Sequence, residues 1–538
     1  MKDTIGFIFL FVLLNLPFDS VFSQEVVKYD RETWNHRQSR EEFARIFSGE
    51  TDKAIANMTA YLRKHSDDPE SLFGLSVAYY SKNDEANGEL YFIKALDSGI
   101  PIERFMAGPR EELAPLYKTK IFRKLTRDKV ILHGPLTGAV SCNLAKVWIR
   151  TFNEKTFKVT VANDSLMMDV VGTFTGNTHE RDDFTGIALL TGLKPGTRYY
   201  YSINIDGYTP SDIATFTTFN NDGQPGVLKV AFGGGAAYNP SKEHIWSVIK
   251  NQNPDFFIGM GDNVYIDHPE LPDVQRYCYY RRESSPFFRK MLQSLPYYSV
   301  WDDHEFGKND SYGGADKFLP EWKTSVLKVF KENSLNPSYA GGESQPGTWY
   351  NFSAGDVDFF MLDTRYYRIP SFANDTTENV NMLGQEQMEW LKEKLRESEA
   401  DFKVIVSSVP WSDGAKDVMA GRFDTWRGYK TERQEIFNFL SQNHINGVIL
   451  LSADRHRHDV WKHERGDDYP LYEFTSSNLT NIHYHELRKG ALFGYNEKSG
   501  FGVLEFNTNA KQPYVVFKIV NIDNELIDQL RIYLHQLK

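Results

Sequence analysis

The sequence predicts a multidomain protein in three parts: a helical amino-terminal region over 32–126, a β-sandwich over 130–220, and a unit over 227–538 in which two sheets lie between helical layers. Three patterns predict it. Apolar residues recur at helical spacing in the first part, and in the second they alternate with period two between Gly/Pro turns. From Val227 onward, strand-length apolar runs are separated by helix-length amphipathic ones. At 538 residues the chain is too long for one hydrophobic core, so several domains are expected.

The first residues, Lys2, an apolar run from Ile5 to Leu14, then Leu16-Pro17 and Val21-Phe22-Ser23, have the layout of a secretory signal peptide over 1–23, with cleavage expected after Ser23. The apolar run is short for a membrane span and no later segment offers one. The expectation is an exported protein, periplasmic, outer-surface or extracellular, with no transmembrane segment after cleavage. Helices follow over Thr51–Leu62, Pro69–Tyr80 and Glu85–Leu96. Leu72, Gly74, Ala78 and Tyr79, then Ala86, Tyr91, Ala95 and Leu96, resemble one tetratricopeptide (TPR-like) unit, and an unrelated helical packing piece fits the same spacing. A protein partner docking on this region is an expectation.

Between 130 and 220, VILHGPLTGAVSCNLAKVWIRT and TFKVTVAND alternate apolar and polar residues, and Leu193 to Tyr201 is a turn feeding a Tyr-rich strand, as in fibronectin-like sandwiches of about seven strands. Beyond a linker at 220–226, strands are expected at Val227–Phe232, Asp255–Met260, Ser299–Trp301, Thr348–Phe352, Val357–Leu362, Phe402–Ser407 and Val448–Leu451. Helices are expected at Lys242–Asn251, Pro286–Ser294, Glu321–Lys331, Gln385–Glu397 and Glu432–Gln442. Four closing strands, Tyr469–Thr475, Gly502–Phe506, Tyr514–Val520 and Ile527–Leu534, have no helices between them and predict a second, mostly antiparallel sheet.

An apolar fraction of 41% excludes a mainly disordered chain, and a net charge of -11 argues against a general nucleic-acid surface, so no stable nucleic-acid partner is expected. Cys142 and Cys278 are the only cysteines. They fall in different parts and predict free thiols rather than a disulfide or a thiolate-rich metal site.

Three apolar strands end abruptly in metal-type ligands. Phe256–Met260 leads to Asp262, Asn263 and Tyr265; the strand ending at Trp301 leads to Asp302, Asp303, His304 and Glu305; Val448–Leu451 leads to Asp454 and His456. Buried strands do not end in such residues without something to satisfy them, and strand ends in α/β sheets are where ligands bind. Carboxylate, imidazole and phenolate donors suit hard cations. Asp262, following Gly261, can bridge two ions; Tyr265 can add a phenolate; Asp303 or Asn263 can serve a second ion; Asp454 and His456 can close the cage. His304 is a candidate to stabilise charge on a transferred phosphoryl group or to protonate its leaving oxygen.

The motifs GDNVY at 261–265, WDDHE at 301–305, LDTRYYR at 362–368, LGQEQMEWL at 383–391, SSVPW at 407–411 and SADRH at 452–456 resemble, in order, the PhoD-like branch of the metallophosphoesterases. The resemblance covers 130–538 and implies a calcineurin-like, four-layer α/β/β/α catalytic domain over 227–538. It further implies metals at Asp262, Tyr265, Asp303, Asp454 and His456, His304 as the catalytic imidazole, and Arg365 near phosphate oxygens. Read from the residues alone, Arg365 could equally form a salt bridge to Asp363 or Asp358. Gly235 stands where relatives commonly carry a cysteine ligand to iron, and Ala453 where glycine is usual. The missing thiolate shifts the expected cofactor to divalent Ca, Mn or Mg, with Zn open and Fe weakened.

The expected function is a secreted metal-dependent phosphoric ester hydrolase acting on a small phosphate ester, most directly an alkaline-phosphatase-like monoesterase. A phosphodiesterase for small organic or lipid headgroup phosphates is one alternative. A non-catalytic secreted binding protein on the same scaffold is another. Tyr277, Tyr279, Tyr280, Arg281 and Arg282 either line the mouth of the site or stack on the helical region.

Overall fold

Alternation along each strand decides the layers of the carboxy-terminal unit. In Phe256–Met260, the side chains of Phe256, Ile258 and Met260 enter a core shared with Phe359, Met361, Val404, Ile449 and Leu451. Phe257 points the other way, onto helices Ile245–Asn251 and Pro286–Leu292. The facing sheet does the same in mirror order: Phe360, Ile405, Val448 and Leu450 pack on Gln385–Glu397 and Lys430–Gln442. Strands buried on both faces read as unbroken apolar runs, and two such sheets give helix, sheet, sheet, helix. The computed structural model describes residues 29–208, 212–372, 380–415, 418–419 and 422–538; the expected signal peptide at 1–23 lies outside them.

The first of these sheets runs Tyr297–Val300, Phe256–Met260, Val227–Gly233, Gly500–Asn507, Tyr514–Asn521, Leu526–Tyr533. The second runs Tyr350–Ser353, Val357–Met361, Phe402–Val406, Val448–Ser452, Asp468–Ser476, His458–Arg465, Phe493–Tyr495. The closing strands therefore do not form one sheet of their own, as the pattern suggested. Asp468–Ser476 joins the second sheet in parallel with Val448–Ser452, whereas Gly500–Asn507 lies antiparallel to Val227–Gly233 in the first. Period-two alternation fixes which face of a strand is buried but says nothing about its neighbour.

Ahead of this unit, seven strands from Ile131–Gly138 to Ala214–Thr217 form one continuous order among the described residues. Val170–His179 links its halves, pairing along most of its length with Thr156–Ala162 and with Thr185–Thr191 only at Thr178 and His179.

The amino-terminal helices include Ser39–Phe47, Thr51–Leu62, Pro69–Ser81 and Glu85–Asp97. Pro69–Ser81 starts where its pattern starts: Asp68 caps it through the Ser71 N–H and Pro69 occupies the first turn. Before Ser39, the segment Trp34–Gln38 is a π-helical turn. Phe43, Phe73 and Phe105 share a core with Ile266, Val274 and Tyr277. Those last residues belong to the carboxy-terminal unit; Val274 and Tyr277 sit on Pro272–Glu283, a helix that its mixed aromatic and charged sequence hides. Tyr277 stacks on Phe43 at 3.8 Å and donates to Glu70 at 2.6 Å, and Arg281 donates to Asn35 O and Ser39 Oγ. Tyr280 bonds Asp183 and Arg282 bonds Glu243. The Tyr/Arg cluster thus joins the three parts of the chain. Cys142 and Cys278 are both free.

Candidate active site

The three strand ends meet. Asp262, Asp303 and His304 place one ligand atom each within 4.8 Å of one another, as do Asp262, Asp302 and Asp454, so Asp262 is shared by two clusters. The backbone bends to achieve this: Asp262, Asp454 and His456 have φ of 51°, 65° and 45°. Left-handed conformations cost non-glycine residues energy and gather at functional sites. Gly261, at φ 96°, is required for a second reason, because a Cβ there would lie 2.6 Å from Asp302 Cβ. Glu305 ties the first two loops together, accepting from the N–H groups of Asp262 at 2.8 Å, Asn263 at 2.5 Å and Asp302 at 3.1 Å. With Asp302 it forms a capping box on Asp303–Phe306.

Tyr265 OH donates to Asp262 Oδ2 at 2.9 Å, lies 3.2 Å from His456 Nε2 and accepts from Asn481 Nδ2 at 2.6 Å. His304 stacks obliquely on Tyr265 with ring centroids 4.2 Å apart, and its Nδ1 is held by Asp267. Burial opposes charge on His304, yet the carboxylates of Asp267, Asp303 and Asp262 hold it protonated well above the usual imidazole range. Arg40, from the helical unit, pairs with Asp267 at 2.5 Å and donates to Tyr265 O at 2.8 Å.

Asp262 and Asp454 are pushed well above the usual carboxylate range, first by burial and further by neighbouring carboxylates; burial also raises Asp302. Asp302 Oδ2 and Asp303 Oδ1 are buried without a hydrogen-bond partner. Carboxylates crowded together away from water are unfavourable unless a cation compensates them, and an all-oxygen set with an imidazole fits divalent cations. The residues present fit such ions: Asp262 with Asp303, and Asp262 with Asp302 and Asp454, would hold them, while His304 stands beside Asp262 and Asp303.

Two expected residues stand elsewhere. Asn263 turns away from the cluster: its Oδ1 accepts from Tyr297 OH at 3.0 Å, and its Nδ2 donates to Val300 O and to Glu305. Arg365 is near the cluster but fully buried, its fork already filled by Asp302 and by both oxygens of Asp424. It pairs with neither Asp363 nor Asp358 through its guanidinium; Asp363 accepts only its backbone N–H. Asp424 in turn receives Arg368 and Arg455.

Sequence reasoning named Asp302 and Glu305 among the strand-end donors without giving them a role, and it passed over Asp267 and Asp424. Asp302 and Glu305 carry a local signal, the Asp-x-x-Glu spacing of a helix start. Asp267 and Asp424 act through partners far away in the chain.

A model of the PhoD-like phosphatase family matches residues 230–501, and a domain of unknown function matches 128–217. Alkaline phosphatase D of Bacillus subtilis (strain 168) is 23% identical over 305 residues, 49% of this chain and 52% of that protein; the chain spans about half the length of this curated relative. The solved structure of PhoD superposes with a TM-score of 0.62 at 17% identity, covering 74% of this chain and 88% of that one. A purple acid phosphatase from yellow lupin seeds superposes with a TM-score of 0.53 at 12% identity, covering 75% of each chain. These structural likenesses concern the fold.

Proposed function

Since the chain belongs to the PhoD-like phosphatase family, we propose that it is an exported, metal-dependent hydrolase of small phosphate esters, acting most directly as a monoesterase. The observation that carries this reading is the sharing of Asp262 between two carboxylate clusters at the convergence of three buried strand ends. Bound divalent cations would supply the charge that acidifies water and offsets the phosphoryl oxygens.

The chain's own residues do the rest. Asp262, with Asp302, Asp303, Asp454, Tyr265 and His456 around it, forms the binding cage. His304, oriented by Asp267 through its Nδ1, donates a proton to the leaving oxygen. Arg365 holds Asp302 in place rather than gripping phosphate, because its donors already have carboxylate partners. Ca, Mn or Mg is favoured over Fe. Gly235 offers no thiolate, and its φ of 69°, with Asn478 N at 3.0 Å and Ser477 Oγ at 3.1 Å from a would-be Cβ, leaves little freedom for a side chain.

The test uses the full chain stripped with chelator and reloaded separately with Ca, Mn, Mg, Zn and Fe. Release of p-nitrophenol from p-nitrophenyl phosphate should return with a divalent ion and stay absent in Asp262→Asn. Chelator-insensitive turnover, or none with any ion, would refute the assignment. Faster release from bis-p-nitrophenyl phosphate would move it to a diesterase, and one tightly held iron per chain would overturn the preference for Ca, Mn or Mg.

A further inference from the structure

The π-helical turn Trp34–Gln38 lies well outside residues 230–501, yet it reaches the site. Its His36 ring meets Tyr265 at a centroid distance of 5.1 Å and His483 at 5.2 Å. His456 faces His483 at 6.2 Å and His485 at 5.0 Å. Four imidazoles therefore form a connected group that meets the site at Tyr265, through His36 and His456. His36 is 3% exposed and its Nδ1 has no hydrogen-bond partner. A buried donor or acceptor left unpaired is unfavourable, and single π-helical turns are frequent at functional sites.

The turn is held in register from both ends. Arg281 donates to Asn35 O at 3.4 Å and to Ser39 Oγ at 3.1 Å, and Arg40 is fastened to Tyr265 O and Asp267. Adjacent Arg37 is exposed, and after burial its positive charge is the largest cause holding the His483 imidazole below its usual range.

We infer that the helical unit supplies part of the substrate pocket, with His36 contacting the alcohol portion of the phosphate ester. The inference rests on the hydrolase reading above. It also narrows the substrate class: a small, polar monoester of a hydroxyl-bearing alcohol. Imidazole nitrogens pair with hydroxyl and ester oxygens, whereas an acyl chain against them would leave them unpaired.

The experiment compares full-length, metal-loaded wild type, His36→Ala and His36→Gln, using glycerol 2-phosphate as the polar probe and p-nitrophenyl phosphate as the aromatic one. Binding is read by calorimetry, turnover by phosphate release, metal content by elemental analysis and folding by the thermal midpoint. His36→Ala should weaken glycerol 2-phosphate binding about tenfold and raise its KM in step, with kcat within about threefold. Metal content should stay at the wild-type level, p-nitrophenyl phosphate should be less affected, and His36→Gln should recover part of the loss. Wild-type affinity in His36→Ala would overturn the inference, as would equal losses for both probes accompanied by loss of metal. Binding that weakens in His36→Ala while wild type turns over neither probe would sink the hydrolase reading and leave the pocket wall standing.

Discussion

Arg365 lies between Asp302 and Asp424 and cannot release either without stranding a buried charge. Arg365→Lys keeps the charge but loses the planar fork that serves both partners at once. It should lower stability by about 3 kcal/mol and weaken cation binding through Asp302, leaving the KM for p-nitrophenyl phosphate nearly unchanged; chemical denaturation, metal titration and steady-state rates read the three effects. A raised KM at unchanged stability would instead restore the phosphate contact that the motif suggested. Asp302→Asn, nearly isosteric, should reduce the bound cation by one per chain while Asp262→Asn perturbs both, as elemental analysis would show. At this scale the sequence was legible where a residue sits directly on a strand tip, as Asp262 and Asp303 do. It misled where a distant partner sets the rotamer: Tyr297, on the neighbouring strand, turns Asn263 away. No spacing in the sequence could bring Asp424 to Arg365, since the contact is made 59 residues apart.

Elements were readable where one pattern sufficed. Gln385–Glu397 is amphipathic and lies within the expected bounds, whereas Pro272–Glu283 is buried nearly all round and shows no polar face to give the helix period away. The closing strands were readable as strands but not as members of two different sheets, because pairing is a long-range choice. The loop after Phe256–Met260 is the element on which the site turns, and Gly261 is its tightest point. Gly261→Ala would force a side chain into a left-handed φ and against Asp302. The expected cost is about 2 kcal/mol or more, together with loss of phosphatase activity that added cation does not rescue, because Asp262 and Asp302 would be pushed apart. Thermal midpoints and rates across a cation titration measure both. Full activity at saturating cation would mean that the loop tolerates the shift.

At the scale of the whole molecule, the helical unit and the catalytic unit fold around common residues rather than meeting at a thin joint. Phe43, Phe73 and Phe105 are fully buried, and the surface that buries them includes Val274, Tyr277 and Ile266 from the catalytic side. The buried Arg104–Glu70 pair is completed by Tyr277, so its hydrogen bonding also spans the two units. A chain lacking residues 29–127 would expose Val274, Tyr277 and Ile266 and deprive Arg281 of Ser39 and Asp267 of Arg40, and exposed apolar patches of that kind promote association. Such a chain should therefore bind a hydrophobic dye, aggregate on concentration and lose His304-dependent activity even with cation present, since Arg40 no longer steadies Asp267. Dye fluorescence, light scattering and turnover of p-nitrophenyl phosphate test this together. A truncated chain that stays monomeric, unfolds cooperatively within a few degrees of the full chain and keeps its rate would show the family-matched unit to be self-sufficient, and would remove the physical basis for placing the helical residues in the active site.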